Sequence, residues 1–232
     1  MNKKTKVFSF VLSIIMILVL SIGTTLALLT SETTPVKNTF TAVTDLLADD
    51  STFKIQEHKV NANFELTGDL ATPDQNGAYV TYNGLFPGTE VSKDPTVKLS
   101  KLAAGAYLYV VIDQNNMSAG EDDGDLFNWS VNSAWTKLGT AGNQTLYVLK
   151  DGDGALALTA GDDNDYSFEI LGGNKVYVEN YGTLEEEDKD LTSGYMTFKA
   201  YLVQSYGVTA NTAQTALTVF NDTFGGVDFA NN

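Results

Sequence analysis

Acidic side chains in glycine-rich stretches come nearest, by type and spacing, to a binding site in this chain. Three such stretches span residues 121–125, 151–154 and 161–165. Clustered carboxylates are the hard oxygen ligands that Ca²⁺ takes in proteins, but none of the runs has the twelve-residue EF-hand spacing with its final glutamate. Aspartate and glycine are also the ordinary residues of solvated turns, and this is the favoured interpretation. If calcium binds, the predicted ligands are Asp122, Asp123, Asp125, Asp162, Asp163 and Asp165. No other cofactor is expected.

The single histidine, His58, restricts the hydrolytic chemistry that the sequence can support. A Ser-His-Asp arrangement is expected to come with a nucleophile motif, and none accompanies His58. Zinc hydrolases commonly use two or three histidines, often as H-E-x-x-H on a helix, whereas Glu57-His58 lies in strand-like sequence. The chain has no cysteine, so it has neither thiolate ligands nor disulfides. We therefore predict no catalytic residue and a protein that is not an enzyme.

The N-terminal segment has the pattern of an export signal. Three lysines precede an apolar run, and small residues end the segment at Ala27. We predict cleavage between Ala27 and Leu28 by a signal peptidase, leaving a secreted chain without a stable membrane anchor. An uncleaved anchor is the alternative, because the apolar run approaches the roughly 20 residues that span a bilayer.

The charge of the chain argues against nucleic acid and anionic lipid as partners. The formal net charge is −15, and removal of residues 1–27 takes away three lysines and no acidic residue, leaving −18. The sequence contains no arginine. Such a surface repels nucleic acid and anionic lipid and lacks the bidentate guanidinium that reads phosphates and bases.

One stretch, residues 82–112, carries the clearest local signals. Phe86-Pro87-Gly88-Thr89 predicts a β-turn with a positive φ at the glycine. Residues 91–99 predict an irregular or edge strand because Pro95 bars a central ladder position. Residues 106–112 form a β-branched and aromatic run that is typical of a strand buried on both faces.

Short strands separated by turn residues continue downstream, which is typical of a sandwich or barrel. An apolar periodicity over residues 211–224 predicts a helix on the sheet, ended by Gly225-Gly226. The predicted fold is all-β: a jelly-roll-like antiparallel β-sandwich over residues 45–232, with a few peripheral helices and preceded by a signal helix. The predicted strands of this downstream part lie at 127–131, 145–149, 155–158, 166–170, 176–178 and 195–204.

Residues 28–44 form an N-terminal extension with weak folding capacity of its own. Val36, Phe40 and Ala42 lie on one face at period two, as in a strand that pairs with something supplied from elsewhere. This segment is the candidate donor strand for polymerisation between molecules. The alternative is that it folds back as an edge strand of its own domain.

Three patches of the sequence resemble the TasA/camelysin family of exported proteins from Gram-positive spore-formers. The densest is PGTEVSKDPTVKL followed by AYLYVVI, at residues 87–99 and 106–112. The others are GTTLALLT at 23–30, leading into NTFTA at 38–42, and FKAYLVQS at 198–205. Residues 117–189 carry no part of the resemblance.

The resemblance implies a secreted structural subunit that polymerises head to tail into fibres of a biofilm matrix, or coats a cell or spore surface. It implies donor-strand exchange, a dedicated signal peptidase and an accessory matrix protein as a further partner. Some family members are described as camelysin-type metallopeptidases, which gives a second function. A monomeric surface adhesion module is the third.

Overall fold

A large antiparallel sheet forms one layer of the protein. The computed structural model describes residues 30–33, 40–41, 46–48, 50–72, 80–115, 117–119, 126–180 and 194–230. From one edge to the other the sheet contains β11 (Trp135–Ala141), β12 (Gln144–Asp151), β8 (Ala106–Asn115), β17 (Tyr195–Gln204), β1 (Thr30–Thr33) and β2 (Phe40–Thr41). Two short strands join it, β13 (Gly154–Ala155) on β12 and β14 (Ala157–Leu158) on β8.

Smaller sheets provide the second layer. One has four strands in the order β6 (Glu90–Ser92), β16 (Leu171–Val178), β10 (Phe127–Val131) and β9 (Met117–Ala119). Another has three, β15 (Gly161–Glu169), β7 (Thr96–Leu102) and β3 (Phe53–Gln56), while β4 (His58–Val60) and β5 (Leu66–Leu70) pair as a hairpin. All of these pairings are antiparallel except that of β9 with β10.

The main hydrophobic core lies between the two layers. On β8, alternate residues Leu108, Val110 and Ile112 are fully buried there. They share one hydrophobic cluster with Val97 and Leu99 of the three-stranded sheet, and with residues of the four-stranded sheet. The two layers therefore pack face to face as an antiparallel β-sandwich, which confirms the predicted fold class.

A single helix, Ala213–Phe224, is found within the described part of the chain, and it covers the outer face of the large sheet. Thr212 caps its N-terminus through a capping box with Thr215. Gly225, with a left-handed φ of 43°, ends it. Phe220 packs in a second core with Tyr109, whose ring centroid lies 5.2 Å away. Within the described residues, no helix has the length and apolar character of a membrane span.

Several local predictions agree with the structure. Residues 106–112 are buried on both faces, within the longer strand β8. The predicted strands 127–131 and 195–204 coincide with β10 and β17. The predicted turn closes with a 3.0 Å hydrogen bond from the amide of Thr89 to the carbonyl of Phe86, and Gly88 has a φ of 80°.

Other local predictions were wrong. The strand Trp135–Ala141 was missed, although it forms one edge of the large sheet. The sequence predicts a strand at residues 78–83, of which 80–83 are described and are not in a strand. The acidic run 161–165, expected to be a loop, lies within β15, where the pairing with β7 shifts register between Gly161 and Asp165.

We expect Val110→Asp to prevent folding, because Val110 is 0% exposed at the centre of the main core. An unpaired charge buried there costs several kcal/mol, a large part of the about 5–15 kcal/mol that stabilises a domain. Val227→Asp is the matched control, since Val227 is 44% exposed. Circular dichroism during thermal unfolding measures both. A soluble Val110→Asp protein that melts cooperatively would contradict this placement.

Candidate functional site

Four ionisable side chains from two places in the sequence meet beside the three-stranded sheet, and we call them the charged cluster: Glu57, His58, Lys93 and Asp94. Glu57 follows β3, while Lys93 and Asp94 lie between β6 and β7. The pairing of β3 with β7 ends at Gln56 opposite Thr96. This register brings Glu57-His58 next to Lys93-Asp94.

Glu57 and Lys93 form a buried ion pair. The Lys93 ammonium donates to both carboxylate oxygens of Glu57, at 3.0 and 3.1 Å. The side chains are 12% exposed for Lys93 and 3% for Glu57. The ammonium also lies 5.4 Å from the ring centroid of Phe198 on β17, so the pair links the second layer to the large sheet.

His58 and Asp94 form the second pair of the cluster. One carboxylate oxygen of Asp94 accepts from the His58 amide at 2.9 Å, and the other contacts imidazole Nδ1 at 2.6 Å. Because a carboxylate only accepts, Nδ1 carries the hydrogen of this contact. Burial, with the charges of Glu57 and Asp94, raises the pKa of the Tyr82 hydroxyl well above its usual range.

The geometry of the His58 pair contains part of what a hydrolase needs. A carboxylate orienting an imidazole is the relation that activates a nucleophile in a catalytic triad. Among the described residues, however, no serine or threonine hydroxyl forms a hydrogen bond with the imidazole. Both hydrogen bonds of His58 instead hold the start of β4 against the segment before β7, which is a structural role.

The calcium candidates are only partly within the described residues. Asp122, Asp123 and Asp125 lie outside the described residues. For Asp162 the structure describes the backbone alone. Asp163 and Asp165 are in β15, and Asp163 is exposed. In the part of the chain that the structure describes, no three histidine or acidic side chains come together as a metal-binding group.

The candidate donor segment is also partly described. β1 pairs antiparallel with β17, with Thr30 opposite Val203, Ser31 opposite Leu202 and Glu32 opposite Tyr201. Phe40 lies in β2, which pairs with β1. Ala27, Leu28, Val36 and Ala42 lie outside the described residues. In this chain, therefore, the strand placed on β17 is Thr30–Thr33.

The charged cluster was missed by reasoning from the sequence. His58 was interpreted as an isolated histidine, and Lys93-Asp94-Pro95 only as part of a family pattern. A signal existed, since Glu57-His58 and Lys93-Asp94 each join an acidic to a basic residue type, and Lys93-Asp94 directly precedes Pro95, which interrupts the predicted strand 91–99. Only the register of β3 with β7 shows that they face each other.

Compared with known proteins, the chain matches no family model, no curated protein and no solved structure. The resemblance to the TasA/camelysin family, which rests on three short patches, stays a prediction.

We expect Glu57→Leu to destabilise the protein by about 3–5 kcal/mol, because it leaves the Lys93 ammonium buried without its counter-ion. The double variant Glu57→Leu/Lys93→Met should recover much of this loss, since it buries no charge. The exposed pair Glu90–Lys175, at 57% and 51% exposure, gives the control. There Glu90→Gln should cost less than about 1 kcal/mol. Urea unfolding measures all three variants, and equal losses from Glu57→Leu and Glu90→Gln would contradict the buried pair.

We expect His58→Ala to lower stability by about 1–2 kcal/mol, through loss of the contact to the Asp94 carboxylate, and to change nothing else. The variant should behave like the wild-type protein in a casein digestion with and without chelator. Lys59→Ala, at an exposed neighbouring position, is the control. Chelator-sensitive proteolysis by the wild-type protein that disappears in His58→Ala would overturn this and establish the peptidase interpretation.

Proposed function

We propose that this protein is a secreted structural subunit that polymerises head to tail into extracellular fibres, in a biofilm matrix or on a cell or spore surface. The link between subunits is the N-terminal segment, which leaves its own sheet and pairs with the sheet of a neighbouring copy. The precursor becomes competent when a signal peptidase removes residues 1–27.

One observation carries this proposal: β1, a strand of four residues near the predicted cleavage site, pairs with β17, which lies next to the central strand β8. Leu46, which follows the candidate donor segment in the sequence, is fully buried, and its carbonyl accepts from the Ala103 amide at 3.0 Å. In the proposed exchange this anchor stays in place while the segment before it pairs with another copy.

Exchange between copies conserves the contacts of β1. A neighbouring molecule presents the same edge of β17, so an incoming Thr30–Thr33 strand can adopt the register seen within the chain. Backbone hydrogen bonds from an added strand satisfy the edge, and its alternate side chains supply specificity. Because donor and acceptor are different surfaces, the contact is heterologous and generates an open filament.

The resemblance to the TasA/camelysin family supports the same proposal. The N-terminal patch, residues 23–30 and 38–42, overlaps the proposed donor segment. The C-terminal patch, residues 198–205, overlaps the acceptor strand β17. Val36, Phe40 and Ala42 are the polymerisation residues that the periodicity predicts, and Phe40 would travel with β2 in the exchanged segment.

Cysteine cross-linking tests the exchange directly, because the chain has no cysteine of its own. Thr30 and Val203 are opposite each other, so Thr30→Cys/Val203→Cys should form a disulfide that locks β1 on its own sheet. We expect the oxidised double variant to stay monomeric and to form filaments after reduction. Filaments that grow normally from the oxidised, intramolecularly cross-linked protein would end the proposal.

Mixing the two single variants identifies the partner of β1. Val203 is 3% exposed, so a cysteine at this position is reached only by a strand that pairs beside it. Thr30→Cys and Val203→Cys proteins should form a disulfide-linked heterodimer, whereas Asn143→Cys, in an exposed turn, should not cross-link with Val203→Cys. Deletion of residues 28–41 should leave the domain folded and abolish filaments seen by electron microscopy.

A further inference from the structure

Asn83 and Gly84 form an exposed dipeptide in the connection that leads to β6. The sequence contains Asn-Gly twice, at 76–77 and at 83–84, and only the second pair lies within the described residues. Both of its residues are exposed, and neither belongs to a helix or a strand. Asparagine is a thermolabile residue, because its side-chain amide can react with the backbone nitrogen of the next residue. Glycine in the next position favours this reaction, since no side chain crowds the nitrogen.

The reacting groups of this dipeptide are not held by other groups. Within the described residues, neither the Asn83 side chain nor the Gly84 amide forms a hydrogen bond. A Cβ built at Gly84 would have no heavy atom within 4 Å, so the space beside its nitrogen is open. Gly84 has a φ of 71°, which residues with a side chain rarely adopt. The backbone conformation itself therefore favours a glycine after Asn83.

The residues on either side of the dipeptide are anchored in the second layer. The Tyr82 hydroxyl donates to the Ser92 carbonyl at 2.8 Å. Leu85 packs against the main core and against the small cluster of Leu126 and Val178. The exposed dipeptide thus connects two fixed side chains without making such contacts itself.

Other asparagines of the described chain differ from Asn83 because their side chains are held. The side-chain carbonyl of Asn132 accepts from a backbone amide at 3.0 Å, and that of Asn61 accepts from two amides of its own loop. The side-chain amide of Asn221 donates to a backbone carbonyl at 2.9 Å. None of these three asparagines is followed by glycine. Asn83 therefore combines the reactive sequence with an exposed and unrestrained position.

We propose that Asn83 is a site of spontaneous deamidation in the folded protein. The Gly84 nitrogen forms a bond to the side-chain carbonyl carbon of Asn83, and the bond from that carbon to Nδ2 breaks. The hydrogen of the Gly84 amide leaves with the NH₂ group as ammonia, and a cyclic succinimide remains. Water then cleaves one of the two bonds from the ring nitrogen to a ring carbonyl. Cleavage at the side-chain carbon gives aspartate, and cleavage at the backbone carbonyl gives isoaspartate.

The reaction changes both the charge and the length of this segment. Each conversion adds one carboxylate to a chain whose formal net charge is already −15. Isoaspartate also inserts one methylene into the main chain, between the anchored residues Tyr82 and Leu85. The protein therefore has a more acidic form that accumulates with time, whether or not it assembles into a fibre.

Incubation of the purified protein at mildly alkaline pH tests the proposal. Native protein and protein unfolded in guanidinium are sampled over time, and fragmentation mass spectrometry assigns each mass gain of about 1 Da to one asparagine. We expect native Asn83 to convert within about tenfold of its rate in the unfolded chain, because no part of the fold must open first. Asn132 should keep its amide in the native protein. Native protein that retains the Asn83 amide while the unfolded chain loses it would overturn the proposal, as would retention in both.

Variants of the two reacting residues provide the controls. Asn83→Gln keeps a side-chain amide but places it one methylene further away, and it should abolish isoaspartate formation at this site. Gly84→Ala should slow the reaction at least about tenfold, because its Cβ crowds the nitrogen. Both are made together with Asn76→Gln, so that ammonia release and an enzymatic isoaspartate assay report on the dipeptide 83–84. Equal isoaspartate yields with and without Asn83→Gln would refute the assignment.

Discussion

Strand β8 is buried on both faces, and the other layers of the protein are placed by the need to cover it. Leu108, Val110 and Ile112 face the smaller sheets, while Tyr107 and Tyr109 face the layer of the helix. Because side chains alternate with a period of two, a slip of one residue would exchange these two sets. The ten-residue ladder with β17 fixes the register from Ala106 to Asn115. The burial on both faces thus explains why the helix packs on the outer face of the large sheet.

The charged cluster marks the point where the second layer divides. β3 and β7 pair as far as Gln56 opposite Thr96, and the next residue before Thr96 is Pro95, which has no amide to continue the ladder. Beyond this point, side-chain contacts connect the two segments: Glu57 with Lys93, and His58 with Asp94. Beyond it, the chain runs into the hairpin on one side and into β6 of another sheet on the other. The buried Glu57–Lys93 pair is not in itself a large source of stability, because apolar residues of similar size could fill the same space.

Strands with a strong intrinsic pattern could be predicted from the sequence, and those fixed by tertiary contacts could not. Residues 106–112 and 195–204 are rich in β-branched and aromatic side chains, so their identity as strands is local information. β11 contains Gly139, whose position would leave no room for a side chain, since a Cβ there would lie 2.5 Å from the carbonyl oxygen of Ala230. Its strand character depends on β12 and on the C-terminal tail, which lie elsewhere in the sequence. The cluster around His58 was unpredictable for the same reason, because it needs the register of β3 with β7.

The sheet edges differ in how firmly they are covered, and this difference limits where the molecule can associate. At β11 the cover is the C-terminal tail: Thr140 and Ala230 exchange backbone hydrogen bonds, Phe229 is buried, and the Asn221 side chain binds both backbone groups of Phe229. Displacing that tail would uncover an apolar side chain and leave Asn221 without partners, which costs several kcal/mol. At β17 the cover is β1, which pairs with it from Thr30 opposite Val203 to Glu32 opposite Tyr201. At β6 the cover is the hairpin 58–70, whose Phe64 carbonyl accepts from the Ser92 amide. Because Phe64 has a left-handed φ, moving the hairpin away would relieve this backbone strain and offset part of the free energy lost with the contact. Displacement of the cover at β11 is therefore strongly unfavourable, because a buried side chain and the Asn221 hydrogen bonds hold the tail in place.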